Sequence, residues 1–295
     1  VVLVLSQFNI PVQVLELVCA LVFVIRPILQ NIYVRKKYEV DIGAGNKNYP
    51  IEQKWDALAQ HIAAVIHSNT DVVVLTLFST LSEVSVYAVY ALVTNGVRKI
   101  ASLFYDAISS GFGDLIARNE KKKLKEIFSI AESLFFTFVT IIFACTFVML
   151  LPFVEVYTAG ISDTDYIKPI FGYLIVTAVL LSIIRHPYSS VSLAAGHYKE
   201  TRNGAIVECV VNMVLSIILV INFGLVGVAI GTMVAMFIRT CEFIYHSEKT
   251  ILHRGIKTPI VKIVVMVLEL LFIVTISRYL PFVDNSSYLC WCINA

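Results

Sequence analysis

Five basic residues of this chain lie inside apolar stretches rather than in polar segments. A cation at the centre of a bilayer costs about 2.5–3.5 kcal/mol on insertion scales, so it faces a partner or a hydrated cavity. Several Arg and Lys side chains around one cavity are natural ligands for a phosphate or pyrophosphate group. We therefore expect a cationic cavity that binds an anionic substrate and is lined by Asn95, Arg98, Lys99, Arg185 and Arg239.

One apolar stretch carries a polar stripe that includes Arg98. Its polar residues recur every three or four positions, which places them on one face of a helix. The stripe favours a helix that lines a cavity. The alternative is that it packs against polar residues of other helices, with Arg98 paired to an Asp. The members of the stripe are Tyr87, Thr94, Asn95, Arg98, Ser102, Asp106 and Ser109.

Acidic residues inside apolar stretches suggest a second kind of site. Asp71 lies about 21 Å along a helix that starts near Ala57, close to the membrane midplane. A carboxylate there is either a proton or cation site or the counter-ion of a buried Arg. No resident metal or other cofactor is expected beyond H⁺ or Na⁺ coupling. The candidate ion-coupling residues are Asn69, Asp71, Asp106 and Glu208.

Composition indicates that membrane helices position these residues. Hydrophobic residues make up 58% of the chain and charged residues 15%, and the mean hydropathy is +0.81. The apolar residues fall in blocks of about 20, the length that crosses a bilayer as a helix. Read as eight spans, the chain places seventeen of its 23 Lys and Arg residues in alternate loops, the positive-inside pattern of a multi-pass protein. The basic clusters lack interleaved aromatic residues, which argues against a nucleic-acid partner.

Two local signals predict interruptions in these spans. Pro187 follows Arg185 and His186 late in the fifth span and should kink it. Residues 222–224 should join the sixth and seventh spans as a hairpin. No nucleophile elbow, P-loop or HExxH motif is present, so an enzyme is not expected.

Several segments resemble polysaccharide flippases, the O-antigen and capsule exporters of the multidrug/oligosaccharidyl-lipid/polysaccharide (MOP) superfamily. The similarity covers nearly the whole chain and rests on the order and spacing of these segments relative to the spans. The family usually has an apolar residue where His186 stands. The segments are 30–38, 55–78, 185–188, 194–199, Asn212 and 223–232.

The resemblance implies an all-α, polytopic transmembrane bundle, the second six-helix lobe of a two-lobe transporter plus flanking helices. It also implies that the chain is an internal part of a longer protein. The implied organisation is a helix ending the first lobe (1–25), a cytoplasmic inter-lobe loop (26–56), the second lobe (57–245), a cytoplasmic loop (246–262), and an additional helix with the start of a truncated last helix (263–295).

The same resemblance implies a function. Such proteins move undecaprenyl-pyrophosphate-linked oligosaccharides from the inner to the outer leaflet of the bacterial cytoplasmic membrane, by alternating access of two lobes. Polymerase and other polysaccharide-assembly proteins are implied partners. One alternative is a MATE-like, ion-coupled antiporter of drugs or cations, although Arg98, Lys99 and Arg185 disfavour cationic substrates. A membrane enzyme is disfavoured because the one sizeable outer loop contains no His or Arg.

Overall fold

The computed structural model describes residues 12–37, 53–277 and 279 of the chain. The chain divides into two units, residues 1–52 and 53–295. Within the described residues the structure consists of helices and connecting turns, without strands, and the predicted all-α polytopic bundle is confirmed. The first unit is described by one helix, α1 (Val12–Lys37). Residues 38–52, about half of the predicted inter-lobe loop, and the predicted truncated last helix lie outside the described residues.

The described residues of the second unit form seven α-helices. Helix α7 is continued by a π-helical turn, Glu248–Leu252. The helices are α2 (Lys54–Phe78), α3 (Leu81–Ala117), α4 (Lys121–Tyr157), α5 (Pro169–Ile184), α6 (His186–Ala194), α7 (Tyr198–Ser247) and α8 (Lys257–Ser277).

By length and composition, five helical stretches of the described residues could cross a membrane: Lys54–Phe78, Lys121–Tyr157, Pro169–Ala194, Tyr198–Leu252 and Lys257–Ser277. Helix α3, a predicted span, is not in this set because its polar stripe lowers its hydropathy. The first predicted span, of which the structure describes the part from Val12 onward, is not in this set either. Most helices also extend past the predicted spans, because backbone hydrogen bonding continues into water where hydrophobicity ends.

Helix α7 contains a reversal and is a helical hairpin. Gly224 has φ 52° and ψ −131°, a conformation that L-residues rarely adopt. A Cβ at Gly224 would lie 2.6 Å from Glu83 Oε1, so a residue with a side chain at this position would also crowd Glu83. The two arms of the hairpin pack closely at Gly231, where a Cβ would lie only 2.6 Å from Ser216 Oγ. The hairpin therefore reverses where residues 222–224 were predicted to join two spans.

The predicted kink in the fifth span is a break between α5 and α6. Arg185 ends α5, and its backbone N–H bonds Ile183 O instead of continuing the α-helical pattern. The carbonyl of Leu181 accepts a hydrogen bond of 2.8 Å from Thr240 Oγ1 of α7. A hydroxyl of the neighbouring helix thus satisfies a backbone group next to the break, as a membrane interior requires.

Aromatic rings fill the core of the second unit. Tyr105 and Phe135 meet edge to face with centroids 5.1 Å apart, and Phe128 lies 5.8 Å from Tyr188. These contacts join α3, α4 and α6. Large apolar side chains also cover the outside of the bundle, among them Ile141 and Leu268. An apolar exterior around a packed core is expected of helices in lipid.

Candidate functional site

Two adjoining cavities lie among α2, α3, α5 and α7. The smaller has a volume of about 170 Å³ and the larger about 330 Å³. We call the two together the polar cleft, since the same four residues line both: His67, Ser68, Arg98 and Met236.

Arg98 is carried into the polar cleft by α3. Its Nε is enclosed and has no hydrogen-bond partner. Within the described residues no carboxylate forms an ion pair with it, so the alternative of an Arg98–Asp pair is not observed there. Asn95, one turn away, lines the smaller cavity. The cleft therefore contains a cationic group that the rest of the described chain does not neutralise directly.

The other two arginines of the predicted site share Glu208 as an ion-pair partner. Arg185 Nη1 lies 2.5 Å from Glu208 Oε1, and Arg239 Nε lies 3.5 Å from Glu208 Oε2. Arg239 is 3% exposed. It also pairs with Glu242 at 2.5 Å and donates to Thr201 O at 2.7 Å. Arg239 is thus held by the hairpin itself, whereas Arg185 has one carboxylate partner and faces the cleft.

Asp71 is the centre of a buried polar cluster at the other end of the cleft. Thr232 Oγ1 lies 2.8 Å from Asp71 Oδ1, and Tyr87 donates to Asp71 Oδ2 at 3.2 Å. Asn212 Nδ2 lies 2.9 Å from Thr232 Oγ1 and 3.4 Å from Asp71 Oδ1. The Oδ1 atom of Asn212 and the hydroxyl of Ser216, both buried, have no partner. The cluster retains oxygen atoms able to bind a proton or a hard cation.

His67 lines both cavities of the polar cleft, and it is the residue of the site that sequence reasoning missed. It is not among the candidate residues predicted from the sequence. In the structure it is 9% exposed, lies 4.0 Å from Glu208 through Nε2, and leaves Nδ1 without a partner. It sits one helical turn from Asp71 on α2. This spacing from Asp71 is the sequence signal that could have identified His67 as a site residue.

The remaining predicted residues lie elsewhere. Asn69 is exposed and donates to Val65 O of its own helix at 2.8 Å. Lys99 and Asp106 are exposed on α3. None of the three lines either cavity. Of the nine candidate residues, the cleft therefore gathers Asp71, Asn95, Arg98, Arg185 and Glu208, with Arg239 behind Glu208.

A second buried ionic cluster was not predicted. Glu132 of α4 is fully buried, and its carboxylate accepts hydrogen bonds of 3.1 Å from both terminal nitrogens of Arg254. Lys262 Nζ lies 2.6 Å from Glu132, and Tyr188 donates to the same carboxylate. Arg254 also pairs with Glu248, which is fully buried. These contacts fasten α8 and the turn before it to α4. The sequence signal was a lone carboxylate in the apolar run of α4.

No protein-family model matches the chain. No curated protein matches it either. A solved structure of the lipid II flippase MurJ, in an inward closed conformation, is similar with a TM-score of 0.59 at 17% sequence identity. The likeness covers 81% of this chain and 51% of that one, so this chain spans about half the length of the structure that it matches. At this identity the likeness shows a shared helical fold.

Proposed function

We propose that this chain is the second lobe of a membrane flippase for polyprenyl-pyrophosphate-linked oligosaccharide repeat units. The full protein would move them from the inner to the outer leaflet by alternating access of two lobes, for surface polysaccharide biosynthesis. The observation that carries the proposal is Arg98, a cation without an ion-pair partner in the described chain, within the polar cleft of a helical bundle. The fold likeness to a lipid II flippase supports a lipid-linked substrate.

Arg98 would bind the pyrophosphate of the substrate. An Arg side chain offers five N–H donors in a planar fork that matches phosphate oxygens. Arg185 lies on the same cleft, and its pairing with Glu208 would compete with the phosphate. We expect the Arg185 guanidinium to leave Glu208 when the headgroup enters, while Arg239 keeps Glu242 and stays in place.

Asp71 would couple this binding to H⁺ or Na⁺. The cleft and its immediate surroundings contain three arginines and three carboxylates: Arg98, Arg185 and Arg239 against Asp71, Glu208 and Glu242. Their charges cancel when all are ionised. A proton or Na⁺ at Asp71 leaves a net charge of +1, which favours an anionic headgroup. By linkage, the headgroup then favours the cation to the same extent.

The arrangement of the whole protein is part of the same proposal. Residues 57–245 would form the second six-helix lobe, residues 1–25 the helix ending the first lobe, and residues 26–56 the cytoplasmic inter-lobe loop. The remaining residues, 246–262 and 263–295, would form a cytoplasmic loop and the flanking helices. The protein would lie in the bacterial cytoplasmic membrane beside a polymerase and other polysaccharide-assembly proteins.

The headgroup site is tested in cells that depend on the full-length protein for surface polysaccharide. Arg98→Ala should abolish the polymer, and Arg98→Lys should restore part of it because the charge returns without the fork. Lys122→Ala, which removes an exposed cation at the start of α4, is the matched control and should keep the polymer. Normal polymer from well-expressed Arg98→Ala would remove Arg98 from the site.

The coupling role is tested by binding. Affinity of the purified full-length protein for a soluble pyrophosphate-linked sugar should rise as Na⁺ is added or as the pH falls. Asp71→Asn should bind tightly at all cation concentrations, since it is permanently neutral. An intact cation dependence in Asp71→Asn would exclude Asp71 as the coupling residue. Transport of ethidium-type cations instead of the lipid-linked sugar would favour the antiporter alternative.

A further inference from the structure

Glu269 is a carboxylate in the central third of the otherwise apolar helix α8. At 1.5 Å per residue it lies about 18 Å from Lys257 and about 12 Å from Ser277. Its neighbours Val267, Leu268 and Leu270 are apolar. An ionisable group at such a depth is costly and calls for a partner.

The described part of the chain supplies no such partner. Glu269 is exposed, and none of the ion pairs or hydrogen bonds among the described residues includes it. This contrasts with Glu132 and Glu248, the buried carboxylates nearby, which are both paired with Arg254. The carboxylate of Glu269 is therefore exposed and unpaired among the described residues, in a part of α8 that is surrounded by apolar side chains.

Glu269 lines a groove between α4 and α8 with a volume of about 210 Å³. The wall from α4 presents three hydroxyls, those of Ser133, Thr137 and Thr140. Each donates its proton to a backbone carbonyl of α4, at 3.0, 3.0 and 2.8 Å respectively. Their oxygens keep free lone pairs and act toward the groove as acceptors.

The one basic residue lining the groove is already engaged. Lys262 Nζ lies 2.6 Å from Glu132 and donates to Ser129 O at 3.0 Å. Apart from that ammonium, the side chains lining the groove offer acceptors or apolar surface. The complement of a carboxylate and several hydroxyl oxygens is a cation with more than one N–H donor, an ammonium or a guanidinium.

We infer that this groove docks a transmembrane helix that carries a Lys or Arg at mid-membrane depth. The cation pairs with Glu269 and donates to the hydroxyls of α4. Depth selects a helix over a lipid amine, because lipid headgroups lie at the surface, about 15 Å from the centre of a core roughly 30 Å thick. The exposed apolar residues around Glu269, including Val261, Val265 and Leu268, supply the surface for helix packing. The inference requires α8 to cross the membrane and is independent of what the protein transports.

The test uses the purified full-length protein in phosphatidylcholine liposomes and two fluorescent host peptides. Both are Leu/Ala transmembrane helices, one with a single central Lys and one with Leu at that position. Energy transfer should show the Lys peptide binding roughly tenfold tighter than the Leu peptide, the factor expected of one polar contact between membrane helices. Glu269→Gln should remove this preference, and Glu269→Asp should keep most of it. The control is Glu126→Gln, which removes an exposed carboxylate near the N-terminus of α4, outside the groove. It should behave as the wild type.

Equal binding of the two peptides to the wild type would overturn the inference, as would an unchanged preference in Glu269→Gln. Repeating the peptide-binding measurement in liposomes that contain phosphatidylethanolamine tests whether a lipid amine occupies the groove instead. Displacement of the Lys peptide by that lipid, dependent on Glu269, would assign the groove to a lipid and contradict the helix. Because Glu269 is exposed, loss of folding is not expected in its variants, and circular dichroism checks this for each one.

Discussion

Replacing Glu208 by Gln should destabilise the second unit more than the loss of any other carboxylate of the polar cleft. Glu208 lies between two arginines, at 2.5 Å from Arg185 and 3.5 Å from Arg239. The amide keeps the shape of the side chain and removes its charge. Both guanidinium groups then lose their shared counter-ion, and for Arg239 this happens at a buried position.

The expected loss of unfolding free energy depends on which partners each arginine keeps. Removing one partner of a buried ion pair costs about 3–5 kcal/mol, because the other charge stays buried. Arg239 retains Glu242 at 2.5 Å, and the side chain of Arg185 is 20% exposed. We therefore expect the lower end of the range, about 3 kcal/mol of unfolding free energy. Removing Arg185 as well, in Glu208→Gln/Arg185→Gln, should restore about 1–2 kcal/mol.

The assay is reversible unfolding of the full-length protein in mixed micelles with increasing sodium dodecyl sulfate. Glu242→Gln is the matched control, since Glu242 is half-buried and its loss leaves Arg239 with Glu208. That variant should lose about 1 kcal/mol or less. A loss below 1 kcal/mol for Glu208→Gln, or a double variant no more stable than the single one, would refute the assigned role of Glu208.

Three further perturbations test other parts of the structure. Gly224→Ala should lower the unfolding free energy by about 1–3 kcal/mol, because its φ is positive and its Cβ would meet Glu83; an unchanged thermal midpoint would contradict this. Glu132→Gln should speed amide exchange in α8 and leave α2 unchanged, whereas equal exchange in both would contradict its anchoring role. Thr232→Val should weaken the cation dependence of headgroup binding several-fold, as it removes a hydroxyl from Asp71; an unaltered dependence would count against the cluster.

The course of the chain through the bundle was predictable where a residue has a strong backbone effect. Pro187 lacks an N–H and marks the break that the structure has at Arg185. Gly224 tolerates a positive φ and marks the reversal of α7. The ends of the helices were not predictable from hydropathy. Helix α1, for example, continues to Lys37, past the predicted end of its span at residue 25, because helical hydrogen bonding does not stop where lipid does.

The members of the site were easier to predict than their pairing. Spacing on one helix placed Asn95 and Arg98 on a common face, and both line the cleft. The neutralisation of Arg185 by Glu208 depends on how α7 packs against the α5–α6 break, which spacing along one helix does not encode. The same holds for Glu132, whose partner Arg254 lies 122 positions away in sequence.

The most direct test of the proposed function is headgroup translocation by the full-length protein in liposomes. A labelled undecaprenyl-pyrophosphate oligosaccharide is placed in one leaflet, and its arrival in the other is followed for wild type, Arg98→Lys and Arg98→Ala. We predict protein-dependent movement that is reduced in Arg98→Lys and lost in Arg98→Ala. Movement at the wild-type rate in Arg98→Ala, or no movement in the wild type, would contradict the proposal that Arg98 binds the headgroup of a lipid-linked substrate.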